Sequence, residues 1–160
     1  MNFSIRCYRR FSRIASLMQS PMLLFIRLYW GGQFIQTGWG KLHNLAGVTT
    51  FFASLNIPFP AANAHAIAFL EFFGGILLLL GLGSRIVSAL LAANMLVAFY
   101  TADHVALLSI FSDPGKFYVA DPFTFLFASL LILFFGAGLF SVDTLLARKI
   151  RMGATVTTIN

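Results

Sequence analysis

Asn63 to Gly83 reads NAHAIAFLEFFGGILLLLGLG, an apolar run with one charged residue, Glu71. As an α-helix rising about 1.5 Å per residue, it spans roughly the 30 Å of a bilayer's hydrocarbon core. Three further stretches have similar reach: Met22–Gly40, Ile86–Thr101 (extending to Asp103) and Pro122–Phe140. A bilayer cannot hydrogen-bond an open backbone, so such stretches cross it as helices. The predicted fold is an all-α membrane protein, a four-transmembrane-helix bundle with short amphipathic interfacial helices.

Composition supports lipid as the solvent. Of the 160 residues, 59% are hydrophobic and 10% charged, against about 25% charged in a soluble domain. A chain this short cannot hide so much apolar surface in one aqueous core. Its single cysteine, Cys7, excludes an intramolecular disulfide, a CxxC redox pair and a thiolate-bound iron–sulfur cluster. Redox chemistry here would need a bound cofactor or a partner.

The net charge is +6, but the cations flank the apolar segments. Anionic-lipid contact and topology account for them, so nucleic acid is not an expected partner. With both termini cytoplasmic, the inner segments hold Arg6, Arg9, Arg10, Arg13, Arg85, Arg148, Lys149 and Arg151, while the outer ones hold Lys41 and Lys116. The positive-inside rule selects that orientation.

Arg9-Arg10-Phe11 faintly resembles a targeting signal, yet Arg27 interrupts the apolar run and no small-residue cleavage site follows. Residues 8–19 instead suit a short helix on the inner surface, ending where Pro21 opens the first span. Leu42, Leu45, Val48, Phe52 and Leu55 recur at helical spacing and predict an outer-surface helix before Pro58 and Pro60. The chain divides into a basic cytoplasmic segment with a surface helix (1–21), a membrane domain (22–145) and a basic cytoplasmic tail (146–160).

Polar groups within spans cost free energy and usually face the bundle interior with a partner or a task. Glu71 lies about 12 Å below the outer end of its span, on a face with Gly74, Leu78 and Gly81. It reads as a proton-exchanging or ligand-bonding group, or as a structural carboxyl paired across helices. Arg27, Gly31, Phe34, Gly38 and Lys41 share one stripe of the first span. Lys41 can lean towards Glu71, and Arg27 can meet Asp143 at the inner end, with snorkelling as the competing account. Gln33, Gln36, Asn94 and Thr101 add polarity at several depths. His43, His65, His104 and Asp103 all fall near the outer surface. Their convergence would make a metal or bis-His haem site; no HxxxH or HExxH spacing supports it, so haem and metal are disfavoured.

Several motifs resemble the DoxX family. They are Arg27-Leu28 with Gly32, Phe34, Gly38 and Lys41-Leu42; the run Glu71-Phe72-Phe73-Gly74-Gly75 to Gly81-Leu82 with Ser84-Arg85; and Gly136-Ala137-Gly138-Leu139-Phe140-Ser141-Val142-Asp143. The resemblance spans roughly 22–145. It implies a four-helix bacterial inner-membrane protein linked to quinone-dependent sulfur oxidation, quinol oxidase complexes or thiol stress. The family supplies motif positions but no agreed catalytic set.

The function expected is a subunit of quinone- or quinol-linked redox processes acting with a protein partner. A non-enzymatic scaffold is the alternative, and a small transporter ranks third. The cofactor is left open, a quinone being compatible. The candidate ligand or proton site is Glu71, Lys41, Phe34, Gly38 and Gly75; Arg27, Asp143 and Arg85 are candidates for structural ion pairing. Gly31, Gly38, Gly74 and Gly75 allow close helix contact, within the chain or between copies in a homo-oligomer.

Overall fold

Proline, glycine and asparagine set most of the helix boundaries. The structure, a computed structural model, describes residues 3–157; the side chains of Arg6 and Arg151, counted among the inner cations, lie outside those described. The helices are α1 (Phe3–His43), α2 (Leu45–Ser54), α3 (Pro60–Leu80), α4 (Ser84–Thr101), α5 (His104–Leu108), α6 (Pro114–Val119), α7 (Asp121–Phe135) and α8 (Val142–Thr157). Among the described residues there is no strand. Asn44 caps α2 by accepting from the Gly47 N–H at 3.2 Å, and Pro60 opens α3 where a missing N–H costs nothing.

Two boundaries differ from the sequence reading. Pro21 does not separate a surface helix from the first span; it lies inside α1. A proline removes one hydrogen bond and crowds the preceding turn, but helix-forming residues continue on both sides and the helix runs through. At about 1.5 Å per residue, α1 is roughly 60 Å long, and its side chains join the bundle only from Ser20 and Leu23 onwards. The second difference is at the other end. The stretch Pro122–Phe140 is not one helix, because α7 stops at Phe135. Gly136 takes φ 79°, a left-handed conformation that a helix cannot continue, and residues 136–141 are non-helical.

α1 packs most extensively on α3 and α4 on α7, while α2 lies against α3. Ile26, Phe34, Leu78, Leu91, Met95 and Ile132 meet in the middle. The α1–α3 approach depends on small residues. A Cβ on Gly38 would collide with the backbone of Phe72 and Glu71, and one on Gly75 would press into Gly31 and Ile35. Outwards, α1, α3, α4 and α7 present exposed Phe25, Phe69, Phe73, Leu90, Phe127 and Phe134, a surface unsuited to water. α3 and α4 are long and apolar enough to cross a membrane.

Candidate functional site

Glu71 is the most buried carboxylate of the bundle, 2% exposed, and it is fully partnered. The α1–α3 contact brings the last turn of α1 beside it, and Lys41 Nζ donates to Oε2. From α4, Asn94 Nδ2 donates to Oε1 at 2.9 Å. Three helices are thus joined through one carboxylate, as a charge removed from water requires.

This cluster lies at the base of a cleft of about 240 Å³. Phe34, Phe52, Met95 and Phe125 contribute apolar walls, and Asp103 and Asp121 stand among its lining. The Phe34 and Phe125 rings meet edge to face, 4.7 Å between centroids. The volume exceeds the roughly 150 Å³ that admits a benzene ring and falls short of the roughly 300–1,000 Å³ of drug-sized pockets. It suits one ring with a polar end. Thr37 and Thr101 bond to carbonyls of their own helices, leaving Lys41, 30% exposed, as the main donor towards the cleft. An ammonium has three N–H bonds, so one can hold Glu71 while another meets a ligand oxygen.

Of the residues expected around a ligand, Glu71, Lys41 and Phe34 line the cleft together. Gly38 and Gly75 do not; they lie at the α1–α3 contact, where their lack of side chains sets the helix spacing. Asn94 was visible only as one polar residue among several, and nothing in its local sequence marked it as the Glu71 partner. Its depth on α4 was the available signal.

The three histidines, expected near one membrane surface, do not converge. His43 Nδ1 lies 2.9 Å from the Trp39 carbonyl, His65 Nδ1 lies 2.8 Å from the Ala61 carbonyl, and His104 stacks edge-on to Tyr100. Each is held within or beside its own helix, so His43, His65, His104 and Asp103 form no ligand set. Among the described residues, no three His, Cys, Asp or Glu side chains gather as a metal site would need.

Arg27 and Asp143 make no direct salt bridge among the described residues, although each charge acts on the other. Arg27 is wholly buried and its Nη2 donates to the Phe140 carbonyl, in the non-helical segment after α7. Asp143 caps α4 instead, accepting from the Gly83 N–H (2.7 Å), the Ser84 N–H (2.9 Å) and Ser84 Oγ (2.8 Å). Partial burial pushes the Asp143 carboxyl upwards, but the Ser84 and Gly83 hydrogen bonds, with the nearby Arg27 charge, outweigh it and hold the group below its ordinary range. Arg85, exposed, meets no carboxylate among the described residues.

Two helices long and apolar enough to cross a membrane, in an all-helical bundle joined by Lys41, Glu71 and Asn94, have the character of a small helical membrane protein, and the family match supplies that class. The chain belongs to the DoxX family, which matches residues 22–104; the segment 136–143 lies beyond that match. A Bacillus subtilis (strain 168) protein named "Putative oxidoreductase CatD" is 30% identical over 117 residues, covering 64% of this chain and 86% of that protein. No solved structure matches the chain.

Proposed function

We propose that this chain is a multi-pass protein of the bacterial inner membrane, with four spans and both ends cytoplasmic, and that its outer cleft takes the ring of a quinone or quinol in a redox process shared with a partner protein. The observation that carries this reading is the Lys41–Glu71–Asn94 cluster at the base of an aromatic cleft sized for one ring. A quinone carbonyl needs a donor at the end of a flat apolar slot, and Lys41 is such a donor. The oxidoreductase name of the Bacillus relative points in the same direction.

Four spans are supported by the packing of α1 and α7 against α3 and α4, and by the apolar side chains that all four turn outwards. α7 alone, at about 22 Å, falls short of the hydrocarbon thickness, and residues 136–141 would complete the crossing. Their backbone is helped by Arg27 at the Phe140 carbonyl and by Ser20 Oγ, which accepts from the Leu139 N–H at 3.3 Å; non-helical backbone at membrane depth needs such partners.

Titration of the purified protein with a short-chain quinone, followed by tryptophan fluorescence, tests the ligand. Glu71→Gln and Lys41→Met are each expected to weaken binding at least tenfold. Equal affinity in both variants and the wild type overturns the reading.

One observation favours a second reading, that of a scaffold for a partner enzyme: both Glu71 oxygens are already occupied by protein donors. On that reading Glu71→Gln lowers bundle stability, the wild type gives no quinone signal, and a stoichiometric partner copurifies.

A further inference from the structure

The inner end of the bundle carries a second cleft, about 590 Å³, formed where the α3–α4 turn meets residues 136–141 and the start of α8. Arg85 and Arg148 line it, and neither forms a salt bridge among the described residues. The Arg85 guanidinium lies over Gly136, 3.6 Å from where a Cβ would stand. Behind the wall, the buried Arg27 guanidinium ends against Gly81, Phe140 and Ser141. Its Nε and Nη1 have no hydrogen-bond partner.

A single carboxylate stands against these three cations. Asp143 lines the cleft, but its oxygens are engaged by Gly83 and Ser84. The cleft therefore carries a net positive charge, from Arg85 and Arg148 in its lining and Arg27 behind its wall. Its free donors are the forked guanidinium groups of Arg85 and Arg148, whose geometry matches the oxygens of a phosphate. Beside them Ile86 and Leu139, both exposed, give the rim an apolar shoulder.

The geometry points to an anion site at this inner cleft for a phosphate group, carried either by the headgroup of an acidic phospholipid or by free phosphate. The site is separate from the quinone cleft and does not rest on that reading. The apolar shoulder suits the glycerol and first acyl carbons of a lipid, while the arginines hold its phosphate.

Native mass spectrometry of the full-length protein in neutral detergent tests the site, with phosphatidylglycerol, phosphatidylcholine and inorganic phosphate as separate probes. Each arginine is expected to contribute about fivefold near the surface, so the Arg85→Gln, Arg148→Gln double variant should bind phosphatidylglycerol about 25-fold more weakly. Preferential retention of phosphatidylglycerol over phosphatidylcholine, lost in the double variant, identifies a lipid site. Saturable phosphate binding lost in the double variant, without lipid preference, identifies the free anion. Should the double variant fail to fold, as judged by its melting curve, Arg148→Gln alone carries the test with a loss of about fivefold. Identical binding of both anions by wild type and folded variant overturns the proposal.

Discussion

Asn94 and Glu71 face each other from α4 and α3, amide nitrogen to carboxylate oxygen at 2.9 Å, in the buried part of the bundle. With Lys41 on the other oxygen, this bond ties α4 into the α1–α3 pair, so the site and the bundle share one clasp.

Replacing Asn94 by Leu keeps the volume and removes the donor. Glu71 Oε1 is then buried and unpaired, at a cost of about 1–3 kcal/mol. Denaturant unfolding in mixed micelles should show that loss. No change in midpoint would mean that the amide contributes nothing to the clasp.

Gly38→Ala is expected to destabilise by about 1–3 kcal/mol, since the added methyl group meets the backbone of Phe72 and not a yielding side chain. At Gly32 and Gly40 a Cβ would meet nothing within 4 Å. Alanine at either should be neutral or stabilise by up to about 1 kcal/mol through helix propensity. Parallel melting curves of the three variants make the comparison.

Asp143 carries a pH dependence. Its folded carboxyl titrates below the ordinary range, so its contribution to stability is present above about pH 4 and is lost as acid protonates the folded group. Asp143→Asn should melt lower near neutral pH and show a flatter acid limb than the wild type. Melting temperatures taken across the acid range read both effects.

Ala98 lines the cleft beside Glu71 and is partly exposed. Ala98→Phe places a ring in the space assigned to the ligand. Quinone binding should fall at least tenfold while the melting temperature changes little. Retained affinity would put the ligand elsewhere.

Much of the bundle was legible from hydrophobic runs alone, because α3 and α4 follow their apolar stretches within a turn. For Lys41 the sequence offered two outcomes, leaning towards Glu71 or snorkelling to the headgroups, and only the packing of α1 on α3 decides for Glu71. Asn94 stayed undistinguished from Gln33, Gln36 and Thr101, since which face of α4 turns inwards depends on packing against α7. The end of α7 was hidden because residues 136–140 are as apolar as a helix would need, and only the backbone angles of Gly136 and Gly138 reveal the break. Arg27 was expected to seek a carboxylate; Asp143 is near enough to feel its charge, but the direct hydrogen bond goes to the Phe140 carbonyl, which no sequence marks as open.

The contact of Gly38 with Phe72, and of Gly31 with Gly75, works as a rail. Sliding α1 along α3 by a single residue, about 1.5 Å, would carry Lys41 off its partner and drive backbone into backbone. The register of Lys41 on Glu71 is therefore locked, and any widening of the cleft falls to the other elements that line it: α2 with Phe51 and Phe52, α4 with Met95 and Ala98, and α7 with Phe125.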